Sequence, residues 1–200
     1  MSFRIEEKIF IIPENKFLFF KLLKKENKAK KIFSDRIVSS TYFDNDKLSM
    51  FHHSEEGIVP RKKLRLRSYS KNAHETTDTL LEKKITSPEG RFKVSGPTES
   101  AKKYLKYGIF DKDYGMCFPK VRVTYLRSYY SIKNVRLTYD RQICYSKILG
   151  SFKSSVIKKD NFFSIEIKSS KLDLNNEILK NFPFTRIRFS KYCRGLIFTS

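Results

Sequence analysis

The 200-residue sequence has no tryptophan, three cysteines and only seven glycines, and each scarcity excludes a class of protein. The glycines are scattered, so neither the GxxxxGK[ST] loop nor the GxGxxG loop of the common nucleotide-binding folds occurs in the sequence. Cys117, Cys144 and Cys193 are odd in number and widely spaced, which argues against a disulfide framework and against a CxxC metal site. We therefore expect free thiols and a cytoplasmic location.

Long apolar runs and acidic residues are also scarce. The runs IFII and FLFF near the start are short and are separated by residues 13–16, so no signal peptide or membrane-spanning segment is predicted and we expect a soluble chain. Against 21 acidic residues stand 42 lysines and arginines, which give a formal net charge of +21. Such an excess predicts a polyanionic partner: nucleic acid, a phosphate-rich small molecule or an anionic membrane surface.

The sequence is rich instead in apolar and aromatic residues, with 40% hydrophobic residues and 18 phenylalanines, enough for a folded core. Helical patterns are few: 14–25, 98–107 with Thr98 as candidate cap, 173–181 and 190–198. Strands are predicted at 2–11, 36–44, 62–70, 79–86, 91–94, 120–130, 135–143 and 162–170. We predict one domain over residues 1–200, mostly β with a few helices (α+β), built on eight antiparallel strands. The lysine-rich segments 26–31 and 153–160 are interpreted as solvated.

One pattern recurs along the predicted strands. In KKLRLRSYS, residues 62–70, Lys63, Arg65 and Arg67 occupy alternate positions, so they share one face of a strand. The same spacing joins Arg4, Glu6 and Lys8; Glu82 and Lys84; Arg91 and Lys93; Arg136 and Asp140; Glu166 and Lys168; and Arg186 and Arg188. A single such face is ordinarily the wet side of a sheet. Many of these strand faces hold arginine, which binds phosphate bidentately, and a few also hold carboxylates. We therefore interpret the faces as lining a polar cavity for phosphates and a divalent metal.

The order of these motifs resembles a known family. FRIEEKIFI, STYFDN, KLRLR, LLEKKI, RFKV, PKVRVTYLRSYY, VRLTYD, SIEIKSS and RFSKYCRG follow one another along nearly the whole chain. Together they resemble the polyphosphate polymerase domain of the vacuolar transporter chaperone (VTC) type, a branch of the CYTH-like or triphosphate tunnel metalloenzyme superfamily. The resemblance implies an eight-stranded antiparallel tunnel with a basic interior that binds a triphosphate, and helices packed outside.

The resemblance also implies roles for particular residues. The residues expected to hold phosphates for transfer are Arg65, Arg67, Lys84, Arg127, Arg136 and Lys168. The residues expected to contact the substrate besides these are Lys8, Lys63, Lys93, Tyr125, Ser190 and Lys191. Glu166 matches the metal-binding glutamate of the family, and the expected cofactor is Mn²⁺ or Mg²⁺. Arg122 is left out because it lies on the strand face opposite to Tyr125 and Arg127.

The sequence departs from the superfamily at its first motif. Tunnel hydrolases open with ExExK, whereas Arg4 takes the first of these positions here and leaves only Glu6 on that face. One carboxylate fewer favours a one-metal phosphoryl transfer over a two-metal hydrolysis. Glu6, Glu82 and Asp140 are interpreted either as second metal ligands or as partners of neighbouring lysines and arginines.

The predicted function is metal-dependent transfer of the ATP γ-phosphate to a polyphosphate chain, which requires positioning and charge neutralisation but no protein nucleophile. His52, His53 and His74 are accordingly interpreted as surface residues. The alternatives are a tripolyphosphatase or nucleoside triphosphatase of the same fold, a non-catalytic polyphosphate or nucleic-acid module, and a basic domain whose charges are merely solvated. No RRM, KH or helix-turn-helix signature supports nucleic acid. A membrane-protein partner and the oligomeric state are left open.

Overall fold

The computed structural model describes residues 5–26, 28–70, 79–133, 135–149, 153–169, 172–180 and 182–200. The strands in these ranges are β1 (Ile5–Ile11), β2 (Lys30–Asp44), β3 (Arg61–Ser70), β4 (Leu80–Ser87), β5 (Gly90–Pro97), β6 (Ile109–Asp111), β7 (Gly115–Ile132), β8 (Val135–Leu149), β9 (Lys153–Lys159) and β10 (Phe163–Ser169). The α-helices are α1 (Lys16–Lys21), α2 (Ser49–Glu56), α3 (Ala101–Tyr107), α4 (Leu172–Lys180) and α5 (Lys191–Thr199). The predicted fold class, mostly β with a few helices, is confirmed.

The described strands pair through one hydrogen-bonded path in the order β1-β10-β8-β7-β2-β3-β4-β5, while β6 pairs with β7 and β9 with β8. The pairs β1–β10, β10–β8, β3–β4 and β4–β5 are antiparallel. The path therefore contains the eight strands that the sequence predicts, and β6 and β9 are additional.

Contacts divide the chain into two compact units. The first unit comprises Met1–Ile37, Tyr125–Ile143 and Asp160–Phe189, and the second comprises Val38–Thr124, Cys144–Lys159 and Ser190–Ser200. Each of the long strands β2, β7 and β8 has one part in the first unit and the other part in the second. The assignment of residues 1–200 to one domain stays a prediction.

The core of the first unit lies on one face of β1, β8 and β10. The alternate residues buried there are Ile9, Ile11, Leu137, Tyr139, Ile165 and Ile167, each at most 1% exposed. They form one cluster with Phe19 of α1 and Ile178 of α4, and burial of each such side chain contributes about 1.5–3 kcal/mol. Since side chains alternate along a strand, the ionisable residues between them lie on the other face of the same strands.

The second unit shows the same alternation. Leu64 and Leu66 are buried between the basic residues of β3, as predicted for KKLRLRSYS. Asp44, at the end of β2, is buried and accepts backbone hydrogen bonds from Met50 and Phe51, both at 3.0 Å. These bonds satisfy the first turn of α2, a helix that the sequence analysis missed because its cap lies five residues before it rather than at the adjoining residue.

Two predicted segments have different local structure. Segment 153–160, interpreted as solvated, includes β9, which pairs with β8; Lys158 and Lys159 are exposed there, whereas Asp160 is buried. Thr98 is not the cap of α3, because β5 continues to Pro97 and the Thr98 hydroxyl accepts a hydrogen bond from the Ser100 backbone N–H at 3.1 Å.

Three further expectations concern the chain ends and the thiols. Arg186 and Arg188 lie in none of the described strands; Arg186 forms an isolated bridge with Ile9 and donates a side-chain hydrogen bond to Asn176 at 3.2 Å. Arg4 and His74 lie outside the described residues. Cys117, Cys144 and Cys193 are free thiols. No helix in the described part of the chain is both long enough and apolar enough to cross a membrane.

Candidate functional site

Three lysines of the second unit stand directly opposite one another across β3, β4 and β5. Lys63 is the register partner of Lys84, and Lys84 is the partner of Lys93. Side chains directly opposite in a sheet are close neighbours, and like charges in such positions destabilise it. A row of three ammonium groups on one face therefore favours an anion as its counter-charge.

A second row lies two residues along the same strands and contains the acidic residue of this face, Glu82. Arg65 is opposite Glu82, and its Nε and Nη2 donate to one carboxylate oxygen of Glu82 at 2.6 and 2.5 Å. Lys93 forms an ion pair with the other oxygen, and Arg67 Nη1 lies 3.6 Å from the first. The Glu82 side chain is fully buried. These contacts support Glu82 as a partner of the cations rather than as a metal ligand.

The electrostatics of Glu82 agree with this role. Burial raises the pKa of the carboxyl, but the positive charges of Arg65 and Arg67 and the hydrogen bond from Lys93 outweigh burial and lower the pKa to about 2. Glu82 is therefore ionised at neutral pH. We call Lys63, Arg65, Arg67, Glu82, Lys84, Lys93 and Lys191 the β3–β5 cluster; it has six cations for one carboxylate.

Two residues that the sequence analysis did not propose contact this cluster. Ser40 accepts a hydrogen bond from Arg67 Nε at 3.0 Å, and the Tyr42 hydroxyl accepts one from Arg65 Nη1 at 3.0 Å. Both lie on β2 at alternate positions, so they share one strand face. The sequence signal is the i, i+2 pair of hydroxyl-bearing side chains in SSTYFD, neither of which carries a formal charge at neutral pH.

The start of α5 joins the same cluster. Lys63 Nζ donates to the Ser190 hydroxyl at 2.8 Å, and Ser190 caps α5 by accepting the Cys193 backbone N–H at 3.3 Å. Tyr192 donates from its hydroxyl to the buried Asp44 carboxylate. Both bonds fix the first turn of the helix, and with it the position of Lys191.

The first unit carries a second charged cluster, which is richer in carboxylates. Arg127 Nε and Nη2 donate to the two oxygens of Asp140 at 2.6 and 2.8 Å, and Arg127 Nη2 lies 4.0 Å from Glu166. Burial lowers the pKa of Arg127, but Asp140 outweighs burial and raises it well above the ordinary value. The Tyr125 ring centroid lies 5.2 Å from the Arg127 guanidinium carbon. Asp140 is therefore a partner of Arg127, one of the two roles that the sequence leaves open.

Lys168 links two further carboxylates of this cluster. Its ammonium lies 2.6 Å from an oxygen of Glu6, its register partner on β1, and 3.3 Å from one of Glu166. Lys8 is opposite Glu166 but donates to the Phe189 carbonyl at 2.8 Å. We call Glu6, Lys8, Arg127, Arg136, Asp140, Glu166 and Lys168 the β1–β10 cluster.

Arg136 is the member of this cluster with an unmet donor. It is the register partner of Lys168 on β8. Its Nε is buried, and no group in the described part of the chain accepts a hydrogen bond from it. A buried guanidinium N–H without an acceptor is costly, so this donor favours an external acceptor such as a phosphate oxygen.

The predicted site residues thus fall into two groups. The structure brings Lys63, Arg65, Arg67, Glu82, Lys84, Lys93, Ser190 and Lys191 together in the second unit, and Glu6, Lys8, Tyr125, Arg127, Arg136, Glu166 and Lys168 together in the first. Among the described residues no group of three or more His, Cys, Asp or Glu side chains could hold a metal. His52 is exposed and His53 Nδ1 lies 3.0 Å from the Tyr114 hydroxyl.

This geometry defines a class of protein: an antiparallel β protein with cationic clusters on alternate strand positions. The family model of the VTC domain matches residues 3–115 and 96–199. The chain belongs to the VTC domain family, and the resemblance read from its motifs is confirmed. No curated protein matches the sequence.

Solved structures share the fold. One from Bacillus halodurans, described as a candidate adenylate cyclase, has 17% identity and a TM-score of 0.62 over 94% of both chains. Another, from Vibrio parahaemolyticus and described likewise, has 17% identity and a TM-score of 0.58 over 98% of both chains. A conserved hypothetical protein from Pyrococcus furiosus has 16% identity and a TM-score of 0.57 over 95% of this chain and 99% of its own. At such identities the likeness establishes the fold alone.

Proposed function

We propose that the chain transfers the γ-phosphoryl group of ATP to the end of a polyphosphate chain and releases ADP. The observation that carries the proposal is the row of Lys63, Lys84 and Lys93 beside the buried guanidinium groups of Arg65 and Arg67. Arginine presents paired donors to phosphate oxygens, and a linear chain of phosphates supplies negative charge at repeated intervals. Membership of the VTC domain family supports the same substrate class.

The reaction requires little from the protein besides position and charge. A terminal oxygen of the acceptor phosphate attacks the γ-phosphorus of ATP, while the bond from that phosphorus to the β–γ bridging oxygen breaks and ADP leaves with the oxygen. One P–O bond forms and one breaks, so no nucleophilic side chain is needed. Fixed cations such as Arg65 and Arg67 stabilise the charge on the transferred group without reorganising.

The carboxylates of the β1–β10 cluster suit a divalent metal. Glu6 and Glu166 both approach the ammonium of Lys168, so two carboxylates are directed at one cation. Magnesium is commonly held by one or two carboxylates, with phosphate oxygens and waters as the remaining ligands, so this donor set fits Mg²⁺ or Mn²⁺. When bound, such an ion neutralises charge on the phosphate oxygens.

The proposal is tested by product analysis. We expect the protein, incubated with ATP and Mn²⁺, to form long polyphosphate and ADP, measured by gel electrophoresis and chromatography. Arg67→Ala is expected to lower the rate by roughly a hundredfold, because it removes a fixed cation from the transferred group. The matched control is Arg122→Ala. Arg122 donates to Thr41, which lies on the face of β2 opposite to Ser40 and Tyr42.

Other products would contradict the proposal in distinct ways. Orthophosphate without polymer indicates a triphosphatase, and binding of ATP without turnover indicates a non-catalytic module. Cyclic AMP and pyrophosphate would indicate the activity for which two of the structural neighbours are named. Metal-dependent activity that survives Glu166→Gln would overturn the assignment of Glu166 as a metal ligand.

A further inference from the structure

Tyr42 is a buried phenol in contact with the β3–β5 cluster. Its side chain is 5% exposed, and its hydroxyl oxygen accepts a hydrogen bond from Arg65 Nη1 at 3.0 Å. The guanidinium carbon of Arg65 lies 5.7 Å from the ring centroid. The ring is stacked on Tyr192 with centroids 5.2 Å apart. The phenol is thus held on one side by a guanidinium and on the other by the first turn of α5.

The hydroxyl of Tyr42 also has a proton to donate. A phenol that accepts one hydrogen bond through its oxygen retains one O–H donor. In the described ranges of the chain no group accepts a hydrogen bond from the Tyr42 hydroxyl. A buried donor of this kind favours an acceptor that comes from outside the protein.

The charged and titratable groups around Tyr42 come from four elements. On β3 they are Arg65 and Arg67, and on α5 they are Lys191 and Tyr192. Glu82 on β4 binds Arg65, and Asp44 on β2 accepts the Tyr192 hydroxyl. The three cations that act on Tyr42 directly are all residues that we assign to phosphate binding.

We propose that Tyr42 is a further ligand of the bound phosphate chain: its oxygen holds the Arg65 guanidinium in place, and its O–H donates to a phosphate oxygen held by the same cations. The inference rests on the proposed function, because it requires an anionic phosphate at the β3–β5 cluster. It extends that function by predicting that phosphate affinity falls at alkaline pH. Loss of the phenolic proton removes the donor and places a negative charge beside the anion.

The pH at which affinity falls follows from the surroundings of Tyr42. Burial raises the pKa of the phenol, but the charges of Arg65 and Arg67 outweigh burial and lower the pKa to about 8. Below that pH the phenol is neutral and can donate. Above it tyrosinate repels the phosphate, and affinity is expected to fall by roughly tenfold per pH unit. By linkage, a bound phosphate chain raises the pKa of Tyr42.

The first test is an ultraviolet titration of tyrosinate, which requires no enzymatic activity. Tyr42 is expected to ionise near pH 8, below the ordinary tyrosine pKa of about 10. Tyr42→Phe removes this early step and keeps the ring that stacks on Tyr192. Tyr107→Phe, which alters an exposed phenol on α3, should leave the step in place. Saturating tripolyphosphate should move the step to higher pH.

The second test is calorimetry with tripolyphosphate as the probe, across about pH 6 to pH 10. Near neutral pH we expect Tyr42→Phe to bind roughly tenfold more weakly than the wild-type protein, because it lacks one hydrogen bond to a charged group. The difference should shrink and then reverse above about pH 8, because only the wild-type protein forms tyrosinate. Ionisation of the probe itself affects both proteins equally and cancels in the ratio of their affinities.

The outcomes separate this inference from the function on which it rests. If the wild-type protein binds no tripolyphosphate at any pH, the proposed function and this inference both fail. If it binds, and Tyr42→Phe matches its affinity and pH profile, the inference alone is overturned. Circular dichroism and thermal denaturation show whether the Tyr42→Phe variant is folded. If its weaker affinity results from unfolding, this result also counts against the role of the hydroxyl.

Discussion

Glu82 is a single residue whose negative charge offsets the repulsion between the cations of the β3–β5 cluster. Its buried carboxylate binds Arg65 and Lys93, and lies 3.6 Å from Arg67. Taking one partner from a buried ion pair leaves an uncompensated charge and is strongly destabilising. Glu82 therefore serves to hold these cations in position.

Glu82→Gln is expected to lower the free energy of unfolding by about 3 kcal/mol near neutral pH. The pKa of Glu82 in the folded protein, about 2, lies below the ordinary glutamate pKa of 4.5, so the contribution of the carboxylate is complete above about pH 4.5 and is lost as the pH falls towards 2. Urea denaturation over that range should show the wild-type protein and the variant converging. Glu99→Gln, at an exposed position, is the control; a parallel pH profile for Glu82→Gln would contradict the role of the carboxylate.

The hydroxyl groups of Tyr139 and Tyr192 differ in their hydrogen bonding. The Tyr139 hydroxyl is buried, no described group bonds to it, and burial raises its pKa to about 12. The Tyr192 hydroxyl instead donates to Asp44. Tyr139→Phe is expected to be neutral or to stabilise the fold by about 1 kcal/mol, and Tyr192→Phe to destabilise it by about 1–3 kcal/mol. Equal losses in thermal denaturation would contradict the assignment of the unmet donor to Tyr139.

At the scale of the element, the period-two pattern predicted which strand faces are charged. Leu64 and Leu66 are buried, while Arg65 and Arg67 reach Glu82 and residues of β2, as the alternation in KKLRLRSYS requires. Alternation is a local property of the extended backbone, so the sequence suffices to predict it. The eight strands and their charged faces follow from it directly.

What the sequence could not provide is the set of partners that are distant along the chain. Lys62, adjacent to the basic row, is buried through ion pairs with Asp111 and Asp113, which lie about fifty residues away. Tyr42 and Ser40 meet β3 only because the strand order places β2 beside it. Register between strands is determined by the packed core, and no pattern within one segment encodes it.

Gly195 in α5 is expected to be intolerant of a side chain. A Cβ at this position would lie 2.9 Å from Tyr145 Cδ1 and 3.1 Å from Val121 Cγ2. Gly195→Ala is therefore expected to destabilise the protein by about 1–3 kcal/mol, although alanine ordinarily favours a helix. Gly96→Ala, where nothing lies within 4 Å, is the control for thermal denaturation. A stabilised Gly195→Ala variant would show that α5 packs less closely than described.

At the scale of the whole molecule, the net charge of +21 combines two kinds of cation. Exposed lysines attract any polyanion, and salt screens that attraction over a short distance. Arg65 and Arg67 are buried and directed at fixed partners, so salt screens them less. The charge alone therefore predicts attraction to polyanions, and we propose that the clusters add selectivity for a phosphate chain.

Salt should separate these two contributions. Raising the salt from about 0.1 M to about 1 M is expected to abolish binding of single-stranded DNA, which surface lysines attract without specific contacts. Tripolyphosphate binding should weaken by roughly tenfold or less over the same range, because buried groups carry it. Fluorescence anisotropy for DNA and calorimetry for tripolyphosphate measure the two. Parallel losses would indicate that both ligands bind only to the solvated surface.

The most direct test of phosphate binding at the β3–β5 cluster is a crystal structure of the protein with tripolyphosphate. We expect phosphate oxygens within hydrogen-bond distance, about 3 Å, of Arg65 and Arg67, with Lys84 and Tyr42 beside the same phosphates. Tripolyphosphate bound elsewhere on the surface, with no phosphate oxygen within hydrogen-bond distance of Arg65 or Arg67, would contradict the proposed site.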